Sequence, residues 1–180
     1  MEQKNSTAKA SIQFGILFGV IMILELVISY VLNIGAENKA YGIVISILNY
    51  FILPFVFIFW GCHNYKKNIN NGHITIGESI KTGMSIAFLA SLLYGVFYII
   101  FTMIFPDFLP DLMNKMSAIT AKENPNLSKE QLELSLSIMK KMMNPYITAP
   151  LAVVMNCFIA LIHSLIIGAI IKNERPQEYN

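Results

Sequence analysis

Charge is what this sequence has least of. Its 180 residues include 13 Lys and Arg and 11 Asp and Glu, 13% of the chain, where a soluble domain carries about 25%. A net charge of +2 offers nothing to a phosphate backbone, which excludes a nucleic-acid partner. An apolar fraction of 55% and a mean hydropathy of +0.56 exclude a disordered chain and leave a water-soluble globule too little polar surface. The length allows one domain, which excludes a multi-domain enzyme. Cysteine is equally scarce. Cys62 ends the second apolar run, whereas Cys157 lies inside the fourth, roughly 21 Å deep at helical rise. A disulfide needs Cα atoms within about 7 Å, and neither cysteine has a CxxC neighbour, so no disulfide and no metal site is indicated. No Gly-Lys-Ser/Thr follows the Gly72 to Gly83 stretch, which excludes a P-loop.

What is present is apolar length. Ile12–Ile34, Gly42–Gly61, Gly83–Phe105 and Ile147–Ile171 make up about half the chain and hold a single charged residue, Glu25. Runs of this length span roughly 30–37 Å as helices, matching a hydrocarbon core of about 30 Å. Lipid offers no partner to a free backbone N–H or C=O, so helix is the form these runs must take. Four buried helices of a soluble bundle would need polar outer faces, and Gly42–Gly61 has none. The expected fold is all-α: an integral membrane four-helix bundle, one membrane domain over residues 1–180, with an extramembrane α-hairpin at 106–146 between the third and fourth spans. The first run follows Lys4 and Lys9 as a signal peptide would, but it exceeds a usual h-region, and Ile34 precedes Ala36 where a small residue is preferred. It is expected to stay as an anchor.

Lys and Arg set the orientation. Both termini share a side with the second loop, which collects Lys4, Lys9, Lys66, Lys67, Lys81, Lys172 and Arg175; Lys39, Lys115, Lys122, Lys129, Lys140 and Lys141 fall opposite, balanced by acids. The positive-inside rule then puts both termini in the cytoplasm of a cell whose inner membrane holds the protein, although Lys140 and Lys141 beside the fourth span pull the other way. In the loop at 63–82, Thr75-Ile76-Gly77-Glu78 has the form of a capping box and predicts a helix that starts before the bilayer. In the longer loop, Pro110 opens a predicted helix to about Lys122, Asn124-Pro125-Asn126 turns the chain, and Ser128-Lys129-Glu130-Gln131 caps a second helix to about Met143. Leu132, Leu136, Met139 and Met143 give that helix an apolar stripe. Met113, Met116, Met139, Met142 and Met143 have the softness for Cu(I), but gap-filling packing is the expected use. Asn126-Leu127-Ser128 fits a glycosylation pattern too common to weigh. No cofactor is expected.

Polar chemistry inside the runs is sparse. Glu25 lies roughly 20 Å deep, with Asn49, Tyr98 and Asn156 at roughly 18, 22 and 22 Å and His163 at roughly 12 Å. The first run is apolar enough to carry a carboxyl that costs about 3 kcal/mol at mid-helix. One polar group per helix at a common depth predicts an interior layer around Glu25. Burial disfavours the charged form, so a neutral acid at pH 7 is expected. Such a layer serves either as polar glue between helices or as a proton or ion relay. No nucleophile–base set accompanies it, so no catalytic residue and no enzyme is expected. Small residues mark the packing faces: Gly15 and Gly19, continued by Met22, Ser29 and Asn33; Gly83, Ala87, Ser91 and Gly95; Ala149, Ala152, Asn156, Ala160 and His163. These join helices within the bundle or between copies. Pro54 is expected to kink the second helix.

Several stretches resemble a bacterial family catalogued as domain of unknown function 4199. They are Lys4-Asn5-Ser6-Thr7-Ala8-Lys9 before Phe14-Gly15-Ile16-Leu17-Phe18-Gly19, and Ile74-Thr75-Ile76-Gly77-Glu78-Ser79-Ile80-Lys81-Thr82-Gly83. Ser128-Lys129-Glu130-Gln131, Lys140-Lys141-Met142-Met143-Asn144-Pro145 and the closing Ser164 to Lys172 stretch follow in order. The resemblance implies a four-span inner-membrane protein of Bacteroidota-type bacteria and carries no activity, substrate or functional residue. Two functions remain as expectations. One is a multi-pass, non-enzymatic membrane protein that acts by helix–helix contact with a second copy or another membrane protein. The other is a small transporter or ion- or proton-conducting oligomer that uses Glu25.

Overall fold

The computed structural model describes residues 6–35, 38–126 and 128–174. Of the residues used above, Lys4, Asn5, Ala36, Leu127 and Arg175 lie outside these. The fold is helical throughout: α1 (Thr7–Val31), α2 (Lys39–Ile47), α3 (Leu53–Asn64), α4 (Ile76–Ile104), α5 (Phe108–Glu123), α6 (Lys129–Met142) and α7 (Pro145–Ile171). Four stretches are long and apolar enough to cross a membrane: α1, the continuous Lys39–Ile69 segment holding α2 and α3, α4 and α7.

Helices α1, α4 and α6 begin where their cap chemistry places them rather than where an apolar run begins. The Lys9 amide donates to Ser6 Oγ at 3.4 Å, so α1 starts five residues before Ile12. Thr75 and Glu78 form the capping box in both directions, Glu78 N–H to Thr75 Oγ1 at 3.1 Å and Thr75 N–H to Glu78 Oε2 at 2.8 Å. Helix α4 therefore starts seven residues before Gly83, and the loop that the apolar runs leave at 63–82 shrinks to about one turn around Gly72. Ser128 and Gln131 form the second box.

The α-helical register of the second span is interrupted by two π-helical segments, Leu48–Ile52 and Tyr65–Ile69. Pro54 explains the first. A proline ring clashes with the carbonyl four residues back and cannot donate, and the wider register, with the Leu53 amide bonded to Leu48 C=O, relieves that clash just ahead of it. The helix then runs through Lys66 and Lys67 to Ile69, well past Gly61.

Helix α4 is the centre of the bundle. It packs along α1 on one flank and antiparallel to α7 on the other, and α3 touches all three. Among the described residues α1 and α7 share no packed interface. The core follows these contacts: Phe18, Phe57, Ile86 and Ala90 on one side of α4, and Ile58, Cys62, Ala87, Ala160 and Ile167 on the other. Both cysteines are free thiols, and Cys62 is buried.

The end where α4 begins and α7 finishes is clasped by backbone. Ile74 and Asn173 exchange amide hydrogen bonds of 3.0 and 2.9 Å, Asn173 Nδ2 donates to Gly72 C=O, and Lys66 Nζ donates to Ile171 C=O. At the other end α5 and α6 form the hairpin, with no buried residue. Leu132, Leu136, Met139 and Met143 are half-buried, whereas the lysines beside them are exposed. Phe108 joins α5 to the bundle, its ring edge-on to Tyr30, Tyr98 and Phe101.

Candidate functional site

Sequence alone places five polar residues in one layer, but the helix arrangement divides them. Glu25 on α1 and Asn49 in the first π segment meet: Asn49 Nδ2 donates to Glu25 Oε2 at 2.7 Å and to Ile45 C=O at 3.2 Å. His163 and Asn156 sit on α7, with α4 between them and Glu25. His163 Nδ1 donates to the Ile159 carbonyl of its own helix at 2.9 Å, and its ring meets Phe55 edge-on. This leaves His163 a packed, satisfied group. Asn156 is half-buried on the same helix. Tyr98 is buried and stacks on Tyr94 at 6.0 Å between ring centres, and Tyr94 lies within electrostatic range of Glu25 and Tyr50. Around Glu25 are thus Asn49 and Tyr94, and Tyr94 in turn neighbours Tyr50 and Tyr98.

Glu25 begins a polar ridge. Ser29 and Asn33 follow it at four-residue spacing on α1, while Tyr41, Ile45 and Asn49 repeat that spacing opposite. Ser29 Oγ donates to the Glu25 carbonyl at 2.7 Å, so the bond between the Ser29 and Tyr41 hydroxyls is donated by Tyr41. Tyr41 was not singled out from sequence because it stands at the margin of an apolar run; the matched spacing on the two helices is the signal that would have found it. Helices α1 and α2 do not pack backbone to backbone. Between them, closed above by α5, lies a cavity of about 270 Å³. Leu26 and Ile45 form its inner end, Ser29 and Tyr41 its walls, and Asp111 and Lys115 its mouth. Lys115 Nζ donates to Asn33 Oδ1 at 2.7 Å across that mouth, and Lys39 pairs with Glu123 at 2.7 Å nearby.

Two buried oxygens of residues next to the cavity lining, though not in it, have no partner. Glu25 Oε1 and Asn49 Oδ1 are both buried and unbonded. Buried polar atoms are paired in the great majority of cases, so this pair has unused acceptor capacity. No group of three or more His, Cys, Asp or Glu that could hold a metal occurs among the described residues.

The small-residue faces are used inside the chain. A Cβ on Gly15 would lie 3.1 Å from the Ile86 carbonyl, and one on Gly19 would lie 3.0 Å from the Ala90 carbonyl, so both glycines seat α1 on α4. Gly83 faces Ser164, Gly95 faces Ala149 and Gly168 faces Ser79, the antiparallel α4–α7 ridge. Ala87 and Ala160 are buried in the same core, and Ala152 is half-buried.

Four long apolar helices with a cap-defined hairpin make this a helical membrane protein. The chain belongs to the family described as "Protein of unknown function (DUF4199)", which matches residues 13–173. No curated protein and no solved structure matches it.

Proposed function

We propose that the chain is a non-enzymatic, multi-pass protein of a bacterial inner membrane, both termini cytoplasmic, that acts by docking a transmembrane helix of a partner against α2. One observation carries this reading. Gly42 and Ser46 form the small-residue pair left uncovered: a Cβ on Gly42 would meet nothing within 4 Å, in contrast to Gly15, Gly19, Gly83 and Gly95. The two line an open groove of about 400 Å³ walled by Ile43, Ile47 and Phe51, and α2 has no buried residue. Small residues four apart let helix backbones approach where lipid supplies no hydrophobic drive. The bilayer solvates the remaining exposed apolar surface.

Oxidative crosslinking in native membranes tests the docking. With Cys157 replaced by serine, Ser46→Cys is expected to give one discrete higher-mass band, whose composition shows a second copy or another membrane protein. Ile170→Cys, on the exposed flank of α7, is expected to give none. Diffuse products from Ser46→Cys, or equal products from both positions, would remove the reading.

A further inference from the structure

Glu25 Oε1 and Asn49 Oδ1 are both acceptors, and two acceptors cannot satisfy one another. A single proton resolves both. We propose that the Glu25–Asn49 pair is a proton-binding site loaded from the hairpin end through the cavity between α1, α2 and α5. A hydronium ion that reaches the carboxyl from the cavity, past Leu26 and Ile45, gives its proton to Glu25 Oε1 and leaves water behind. The new O–H donates to Asn49 Oδ1 while Asn49 Nδ2 keeps donating to Glu25 Oε2, closing a two-bond acid–amide ring. Release is the reverse transfer, and no other bond forms or breaks.

Three observations carry this. Two of the unpartnered buried atoms are acceptor oxygens on side chains already hydrogen-bonded to each other, which a proton fits without a third ligand. The cavity ends at Leu26 and Ile45. Leu26 is the chain neighbour of Glu25, and the Ile45 carbonyl already receives Asn49. Asn49 itself sits in the π-helical turn, a geometry that recurs at functional sites. The ionisable group that interacts with Glu25 is Tyr94 on α4, itself beside Tyr50 in the π segment and Tyr98 on α4; Tyr41 on α2 and Asp111 and Lys115 on α5 line the cavity. Among the described residues no cation pairs with Glu25, so a proton is the counter-charge the site can take. This site does not depend on helix docking at α2.

The test uses the full chain in liposomes, with an apolar carbodiimide, which reacts with protonated carboxyls in lipid, and infrared spectroscopy of the acid C=O stretch. The wild type is expected to take one adduct, mapped to Glu25, and to show an acid band at neutral pH. Glu25→Gln, which preserves the shape and a donor–acceptor pair, loses both. Leu112→Trp fills the cavity far from the carboxyl and is expected to slow the deuterium shift of that band on the order of tenfold. An unlabelled wild type with no acid band overturns the proposal without recourse to any variant. Protection by sodium ions makes the pair a metal-cation site and overturns it too. An unchanged shift rate in Leu112→Trp overturns loading through the cavity.

Discussion

Gly83→Val is expected to cost about 3 kcal/mol of stability, enough to prevent recovery of a monodisperse protein. Gly83 sits where α3, α4 and α7 converge. A Cβ there falls on Ser164 Oγ, lies 2.9 Å from Ile58 Cγ2 and 3.2 Å from Ser164 Cβ. Ile58 and Ser164 are fully buried, so neither yields into lipid. Alanine is a milder insult. Ser164 Oγ has no hydrogen-bond partner, and rotating it away gives most of the space one methyl needs, at about 1 kcal/mol. Valine adds two further methyl groups to a Cβ already pressed between Ile58 and Ser164, and no rotation of one hydroxyl accommodates both. The compensating change follows: Ser164→Ala in the Gly83→Ala background should recover most of the loss, because contacting residues couple. Melting temperature of the detergent-solubilised protein reads all three. A Gly83→Val protein that melts with the wild type would mean that α4 and α7 do not approach at this point.

The same residues show what the sequence could reveal. The four apolar runs declare the helices because lipid forbids any alternative, and the two capping boxes are local chemistry, legible in four residues each. Helix ends and the polar layer were less accessible for a shared reason. Hydropathy reports where a helix is apolar and not where it ends: the capping box at Thr75 marks the start of α4 ahead of Gly83, whereas nothing in the sequence marks the run of the second span past Gly61 to Ile69. Depth along a span is likewise one coordinate, and meeting requires two. Glu25 and Asn156 share roughly a depth, but α4 stands between α1 and α7, a fact of azimuth that no single run encodes. Spacing carries part of that missing coordinate: Glu25, Ser29 and Asn33 against Tyr41, Ile45 and Asn49 are two matched ridges, and they do line one seam. The small-residue faces presented the opposite difficulty. Gly15, Gly19, Gly83 and Gly42 look alike in sequence, and only the packing distinguishes those already covered by a neighbour from the one left open.

Glu78→Ala is expected to lower stability by about 2–4 kcal/mol, more than its place in a surface turn implies. Its carboxylate joins three elements at once. Oε1 accepts from Tyr65 Oη at 2.9 Å and Asn70 Nδ2 at 3.3 Å, and Oε2 accepts from the Thr75 amide at 2.8 Å and the Thr75 hydroxyl at 3.1 Å. Tyr65 and Asn70 are buried, so the variant withdraws an acceptor from groups that water does not readily reach. The cap of α4 contributes about 1 kcal/mol of the loss; the tie to Tyr65 and Asn70 supplies the rest. Thr75→Ala removes the cap hydroxyl and leaves that tie, so about 1 kcal/mol is expected. Glu78→Gln retains one carbonyl oxygen where four donors converge and should fall between the two. Location is also diagnostic. Ile74, fully buried, pairs with Asn173 one residue from the Thr75 cap, so hydrogen exchange should accelerate first at Ile74 and Asn173, while the Gly15–Gly19 seat on α4 keeps its protection. Equal losses from Thr75→Ala and Glu78→Ala would reduce Glu78 to an ordinary cap and leave the clasp of Ile74 on Asn173 to backbone pairing alone.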